Sequence, residues 1–129
     1  MILLDTCAII WDAIDSSKLT SRAKKLIKQN ESQLLICDIS IWEISMLIKK
    51  KRLVVDNSAA AFINLLLQSR NYMVQEITPE IADLSVNFGS EMNNDPADRL
   101  IAATSVLANA PIVTADDNLR GSSLVETIW

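Results

Sequence analysis

The chain has 129 residues, half of them apolar, a formal net charge of −4 and no histidine. That length suits one domain, residues 1–129, with room for a real core but not for two ordinary ones. The missing histidine excludes Ser-His and Cys-His nucleophile pairs, paired-imidazole RNA cleavage and histidine-ligated zinc, so any enzymatic chemistry falls to carboxylates, hydroxyls, lysines or a hard metal ion.

In chain order, a strand is expected at Ile2 to Leu4, a helix at Ser21 to Gln29 and a second strand at Leu34 to Cys37. Helices follow at Ile41 to Lys50 and Ala59 to Arg70, then a strand at Met73 to Ile77. Helices at Glu80 to Phe88 and Ala97 to Ala108 precede a strand at Ile112 to Val113 and a weaker one at Leu124 to Ile128. Strands alternating with helices predict an α/β, three-layer fold with a mostly parallel sheet. Helix starts are marked by Ser40-Ile41-Trp42-Glu43, which reads as a capping box, and by Thr78-Pro79 and Asp95-Pro96, which place proline at the first helical position. With only Gly89 and Gly121, a glycine-rich phosphate loop is ruled out.

No apolar run approaches the eighteen or so residues needed to cross a bilayer; the nearest, Ala59 to Leu67, is interrupted by Asn64. The N-terminus lacks the pattern of a signal peptide, so a cytoplasmic location without membrane contact is expected. Cys7 and Cys37 are too few for a disulfide framework and are expected to be buried thiols. Acidic charge argues against nucleic acid, yet nine of the twelve basic residues lie between Lys18 and Arg52, including the run Lys49-Lys50-Lys51-Arg52, which leaves room for a local basic surface. That run serves equally well as the cationic end of a helix.

Asp5 ends the first strand and Asp116 follows the strand at Ile112, so both fall at the carboxyl edge of the sheet, where open α/β folds bind ligands. Glu43 and Asp98 fall at the third position of their expected helices, whose N-termini start on that same edge. Four carboxylates together repel one another unless a cation neutralises them, and oxygen-only ligands suit Mg²⁺ or Mn²⁺. Taken singly, each acid also has an ordinary role: Asp5, Asp95, Asp98 and Asp116 or Asp117 can cap or complement helices, and Glu43 can complete a capping box.

The segments Ile2-Leu3-Leu4-Asp5-Thr6, Ser40-Ile41-Trp42-Glu43-Ile44, Asp95-Pro96-Ala97-Asp98-Arg99-Leu100-Ile101 and Ile112-Val113-Thr114-Ala115-Asp116 stand in an order that resembles the four acidic motifs of PIN-domain nucleases, above all the VapC toxins of type II toxin-antitoxin modules. The likeness runs through the whole chain, and the Asp-Pro-x-Asp-Arg segment is its most specific element. It implies a five-stranded parallel sheet, an Mg²⁺- or Mn²⁺-dependent endoribonuclease, an RNA substrate, a cognate VapB-type antitoxin and a homodimer. It makes Asp5, Glu43, Asp98 and Asp116 the metal-binding and catalytic acids, with Thr6, Thr114 and Asp117 as supporting polar groups. Relatives often carry a histidine before the Asp-Pro element, where this chain has Met92-Asn93-Asn94.

Trp11, Trp42 and Trp129 are expected in the core rather than stacked on bases, and Arg99 is expected to orient a neighbouring carboxylate. A haloacid-dehalogenase-type phosphatase would need a second aspartate where Cys7 stands. A receiver domain would need a phosphoacceptor after the middle strand and a lone lysine after the last, and neither is apparent.

Overall fold

The computed structural model describes residues 1–129 as a five-stranded, wholly parallel sheet with helices on both faces. Strand β1 (Ile2–Leu4) leads into helix α1 (Thr6–Ile14), and a 3₁₀ turn (Ser16–Lys18) into α2 (Ser21–Gln29). Then come β2 (Leu34–Cys37), α3 (Ile39–Lys49), α4 (Ala59–Ser69), β3 (Met73–Gln75), α5 (Pro79–Asn87), α6 (Pro96–Ala108), β4 (Ile112–Val113), α7 (Asp117–Arg120) and β5 (Thr127–Ile128). No helix is long and apolar enough to cross a membrane.

The strand order β3-β2-β1-β4-β5 places β1 at the centre. Its alternation divides the core. Ile2 and Leu4 join Leu34, Ile36 and Val113 beneath α1, α2, α3 and α4, whereas Leu3 points the other way with Leu35, Ile112 and Ile101 of α6. Both faces are therefore covered, which is why the strands read as unbroken apolar runs rather than as an apolar and polar alternation. From β1 the chain builds outward to β2 and β3 and then crosses to β4 on the opposite side. The reversal opens a crevice at the carboxyl ends of β1 and β4, the place where doubly wound sheets receive ligands.

The α/β, three-layer expectation holds, and the boundaries of β1, β2, α2 and β4 match it residue for residue. Two expected strands are shorter: β3 ends at Gln75 rather than Ile77, and β5 spans only Thr127–Ile128. Helix α1 was outside the expected helical segments because Thr6-Cys7-Ala8-Ile9-Ile10-Trp11 is too uniformly apolar to show a face; the helix lies against the main core. Helix α3 starts at Ile39, so Ser40-Ile41-Trp42-Glu43 is not a capping box: the N-cap residue is Asp38, and it makes no side-chain capping bond. By contrast, Thr20, Ser58, Thr78 and Asp95 cap their helices as Ser, Thr and Asp do, accepting a bond from the backbone N–H three residues on.

Candidate metal centre

Two of the four acids follow strands and two stand in the first turns of helices. Asp5 is the residue after β1, held at the sheet edge by its own N–H bonded to the Val113 carbonyl of β4 at 3.1 Å. Asp116 follows β4 after a two-residue step through Thr114 and Ala115. Asp98 is the third residue of α6, as expected. Glu43 is the fifth residue of α3, not the third, because the helix begins earlier, and it still reaches the same crevice by standing over Thr6.

Two threonines tie these acids together. Thr114 Oγ1 donates to Asp5 Oδ2 at 2.7 Å and accepts from the Asp116 backbone N–H at 3.0 Å, so one hydroxyl sets the spacing between the ends of β1 and β4. Thr6 Oγ1 donates to Glu43 Oε1 and lies 2.9 Å from Ser40 Oγ. A hydroxyl has a single proton, so the Ser40 hydroxyl supplies the proton of the second contact. Asp5 Oδ1 accepts from the Thr6 N–H at 2.7 Å. Ser40 and Thr6 are buried, and Thr114 is fully enclosed.

Around Asp98 the organiser is Asn93. Its Nδ2 donates to Asp98 Oδ2 at 2.9 Å, and its Oδ1 accepts from the Asp95 N–H at 2.8 Å. Asp95 Oδ1 in turn caps α6 through the Asp98 N–H at 3.0 Å. Asp116 Oδ1 caps α7 through the N–H groups of Asn118 and Leu119. Capping and ligand roles are thus not exclusive, since Glu43 Oε2, Asp98 Oδ1 and Asp116 Oδ2 have no protein donor.

The electrostatics show the strain of gathering these charges. Burial pushes the Asp98 carboxyl up to about 7, against the pull of the Asn93 hydrogen bond, and the charges of Asp116, Asp95 and Asp5 push the same way. Glu43 is raised by burial, with the Thr6 bond opposing and Asp5, Asp95 and Asp116 adding to the rise. Asp5 is raised for the same first reason, its bonds to Thr114 and Thr6 opposing. Each of the three would be relieved by a cation in the crevice. No three acids already converge as a finished coordination shell. The donor set nonetheless fits a hard divalent ion, being all oxygen with unengaged atoms on three of the four acids.

Several expectations need correction. Asp117 takes no part in this network: its side chain is 99% exposed and meets only Arg120, at 4.0 Å. Arg99 contacts no carboxylate directly; its guanidinium donates to the carbonyls of Ser85, Phe88, Gly89, Met92 and Asn93. Cys7 is exposed rather than buried, although partial desolvation of its thiol, followed by the charges of Asp5, Glu43, Asp116 and Asp98, raises it to about 11, which keeps it a protonated, weak nucleophile. Cys37 is buried, as expected. Trp11 packs on Trp129 with ring centroids 5.8 Å apart, but Trp42 is 57% exposed. Sequence reasoning missed Ser40 and Asn93 as parts of the site, and the only signal was their position beside motif acids.

A sequence model described as the PIN domain matches residues 2–121. Ribonuclease VapC22 of Mycobacterium tuberculosis is 29% identical over 119 residues, covering 92% of this chain and 89% of that protein. The fold is that of a toxin-antitoxin complex from Klebsiella pneumoniae (23% identity, 98% of this chain and 97% of that one, TM-score 0.68) and of VapBC2 from Rickettsia felis bound to a promoter DNA fragment (14%, 99% and 98%, TM-score 0.72).

Proposed function

The chain belongs to the PIN-domain family, and on that premise we propose that it is a metal-dependent endoribonuclease, the toxin of a type II toxin-antitoxin pair, with its site at Asp5, Glu43, Asp98 and Asp116. The observation that carries the reading is geometric: at the carboxyl ends of the paired strands β1 and β4, Thr114 bonds both Asp5 and the Asp116 backbone, and Thr6 holds Glu43, while burial raises Asp5, Glu43 and Asp98. The similarity to a named ribonuclease across 92% of the chain supports RNA as the substrate. When bound there, Mg²⁺ or Mn²⁺ supplies an activated water and neutralises the charge that develops on the attacked phosphate. The acids would hold that ion; Thr6 and Thr114 fix the carboxylates of Glu43 and Asp5, and Asn93 fixes that of Asp98, so that little reorganisation is needed when RNA arrives.

Incubating the purified protein with total RNA in Mg²⁺, Mn²⁺ or EDTA, and sequencing the new ends, tests the reading directly; cleavage undiminished by EDTA would sink it. A second test uses proton linkage. Asp98 holds a proton more tightly folded than unfolded, because its folded value of about 7 stands above the ordinary value of 3.8 for an aspartate. Between those values the folded state therefore binds more protons, so stability falls as pH rises through the window. The metal binds the ionised acids and so opposes that loss. Without divalent ions the melting temperature should decline from pH 4 to 7, and Mn²⁺ should raise it far more at pH 8 than at pH 5. Equal shifts at both pH values would contradict the site assignment.

The toxin-antitoxin assembly of the Klebsiella relative supports a protein partner for this chain as well. A concentrated group of carboxylates is well matched to a guanidinium, which can make charge-assisted, bidentate bonds and compete with the cation. The cognate antitoxin is expected to inhibit by inserting an arginine at the four acids. Replacing that arginine with alanine should restore cleavage even where the complex stays assembled, and excess Mn²⁺ should partly relieve inhibition by the intact partner. Full inhibition by an antitoxin with no basic residue near the acids would leave steric occlusion as the better account.

A further inference from the structure

Beside the acids runs an open groove of about 940 Å³, shared between α3, the residues that follow it and the start of α6. Asp38, Glu43 and Asp95 line it together with Lys50 and Arg52. Trp42, Met46, Ile77 and Pro96 supply apolar wall. Neither Lys50 nor Arg52 belongs to any ion pair, and both are exposed. Trp42 leaves more than half of its surface in solvent, although it adjoins the buried Ile44 and the site residue Glu43 on one helix. An indole left open in a groove that carries free cations is the pairing used by proteins that hold single-stranded nucleic acid, where a base stacks on the ring and phosphates meet the charges.

We propose that this groove is a binding subsite for the single-stranded RNA flanking the scissile phosphate, with a base stacked on Trp42 and backbone phosphates held by Lys50 and Arg52. The proposal rests on the ribonuclease reading above and adds to it the residues that hold the strand. From Glu43 to Lys50 the helix rises roughly 10 Å at 1.5 Å per residue, several times the spacing of about 3.4 Å between stacked nucleotides, so the groove accommodates a short run of strand rather than one nucleotide. The occupant is set by what lines the groove: Lys50 and Arg52 without ion-pair partners suit phosphates, the uncovered Trp42 indole suits a base, and Glu43 of the candidate site lies in the same lining, so a strand held here runs into that site. A cation held by the four acids would offset their charge, and Lys50 and Arg52 would take the strand beyond them, so a net charge of −4 is no bar to holding RNA.

The test measures anisotropy of a labelled eight-nucleotide oligouridylate against the full-length chain in Ca²⁺, in parallel with cleavage in Mn²⁺. Trp42→Ala should weaken binding about 10-fold, and Trp42→Phe should retain most of it, because stacking needs a ring rather than an indole. The Lys50→Ser, Arg52→Ser double variant should reduce the slope of log affinity against log salt by about 1.4, two phosphate contacts at 0.7 each. Trp42 is exposed, so these variants keep the fold, which circular dichroism checks. Binding that is absent, or unchanged in Trp42→Ala with the salt slope intact, overturns the subsite whatever the cleavage assay shows. If Trp42→Ala instead leaves RNA binding alone and changes the sedimentation of the chain or its complex with a protein partner, the groove is a protein interface and the proposal fails. Loss of binding in the variants with no cleavage by the unmodified chain would support the subsite while refuting the nuclease reading.

Discussion

Asp98→Asn should reduce RNA cleavage by more than about 100-fold while leaving the fold intact. The amide is nearly isosteric, its carbonyl can still accept from Asn93 Nδ2, and the Asp98 backbone N–H that Asp95 caps is untouched. What disappears is one negative charge at the crevice. That charge is costly without a cation, since burial and the neighbouring Asp116, Asp95 and Asp5 raise the carboxyl to about 7. The metal-free variant should therefore melt at a higher temperature than the unmodified chain near pH 8, and Mn²⁺ should stabilise it less. Lost activity with raised metal-free stability is a pairing that a merely damaged fold would not produce. Asp95→Asn makes the control, because asparagine caps a helix as well as aspartate does, and its cleavage should fall only a few-fold. Equal loss in both variants would show that the division of labour within Asp95-Pro96-Ala97-Asp98 has been misassigned.

Much of the architecture could be read from the chain because apolar patterning and helix punctuation agree over long stretches. Leu34 to Cys37 is unbroken because both faces of β2 are covered, and proline at the first position of α5 and α6 fixes both starts. The failures have physical causes. Helix α1 carries too few polar residues to display a face, and α3 begins at Ile39 after an Asp38 that makes no side-chain cap, so the capping signal at Ser40, two residues past Asp38, attracted the wrong boundary. Glu43, the fifth residue of α3, nonetheless stands beside Thr6 at the carboxyl edge of the sheet.

The candidate acids were legible as a set, whereas the residues holding them were not. Thr6 and Thr114 adjoin strand ends and came with the motifs; Ser40 and Asn93 act through a single hydroxyl and a single amide that no pattern distinguishes. Trp42 was misjudged because an aromatic in an apolar helical pattern usually packs inward, but the groove between α3 and the start of α6 leaves its ring uncovered.

Arg99→Ala should destabilise the protein by several kcal/mol, on the order of 3 to 5, and weaken metal binding without removing any ligand. The guanidinium reaches Asn93 O through Nε at 2.8 Å, Ser85 O and Phe88 O through Nη1 at 3.1 and 2.9 Å, and Gly89 O and Met92 O through Nη2 at 3.3 Å each. Five carbonyls from the end of α5 and the loop into α6 thus share one cation. Two of them, Ser85 and Phe88, close the C-terminal end of α5, where positive charge is favoured by the helix dipole. Removing the side chain leaves all five without this donor and frees the loop that carries Asn93, so the hydrogen bond to Asp98 loses its anchor. Arg99→Lys keeps the charge but replaces a planar fork of five N–H groups with three protons on one nitrogen, which cannot span these carbonyls. It should recover less than half of the lost stability. Urea denaturation of the three proteins reads the first effect, and calorimetric titration with Mn²⁺ reads the second. A lysine variant as stable and as tight for Mn²⁺ as the unmodified chain would show that charge alone matters, and that the fork of Arg99 does not set the position of Asp98.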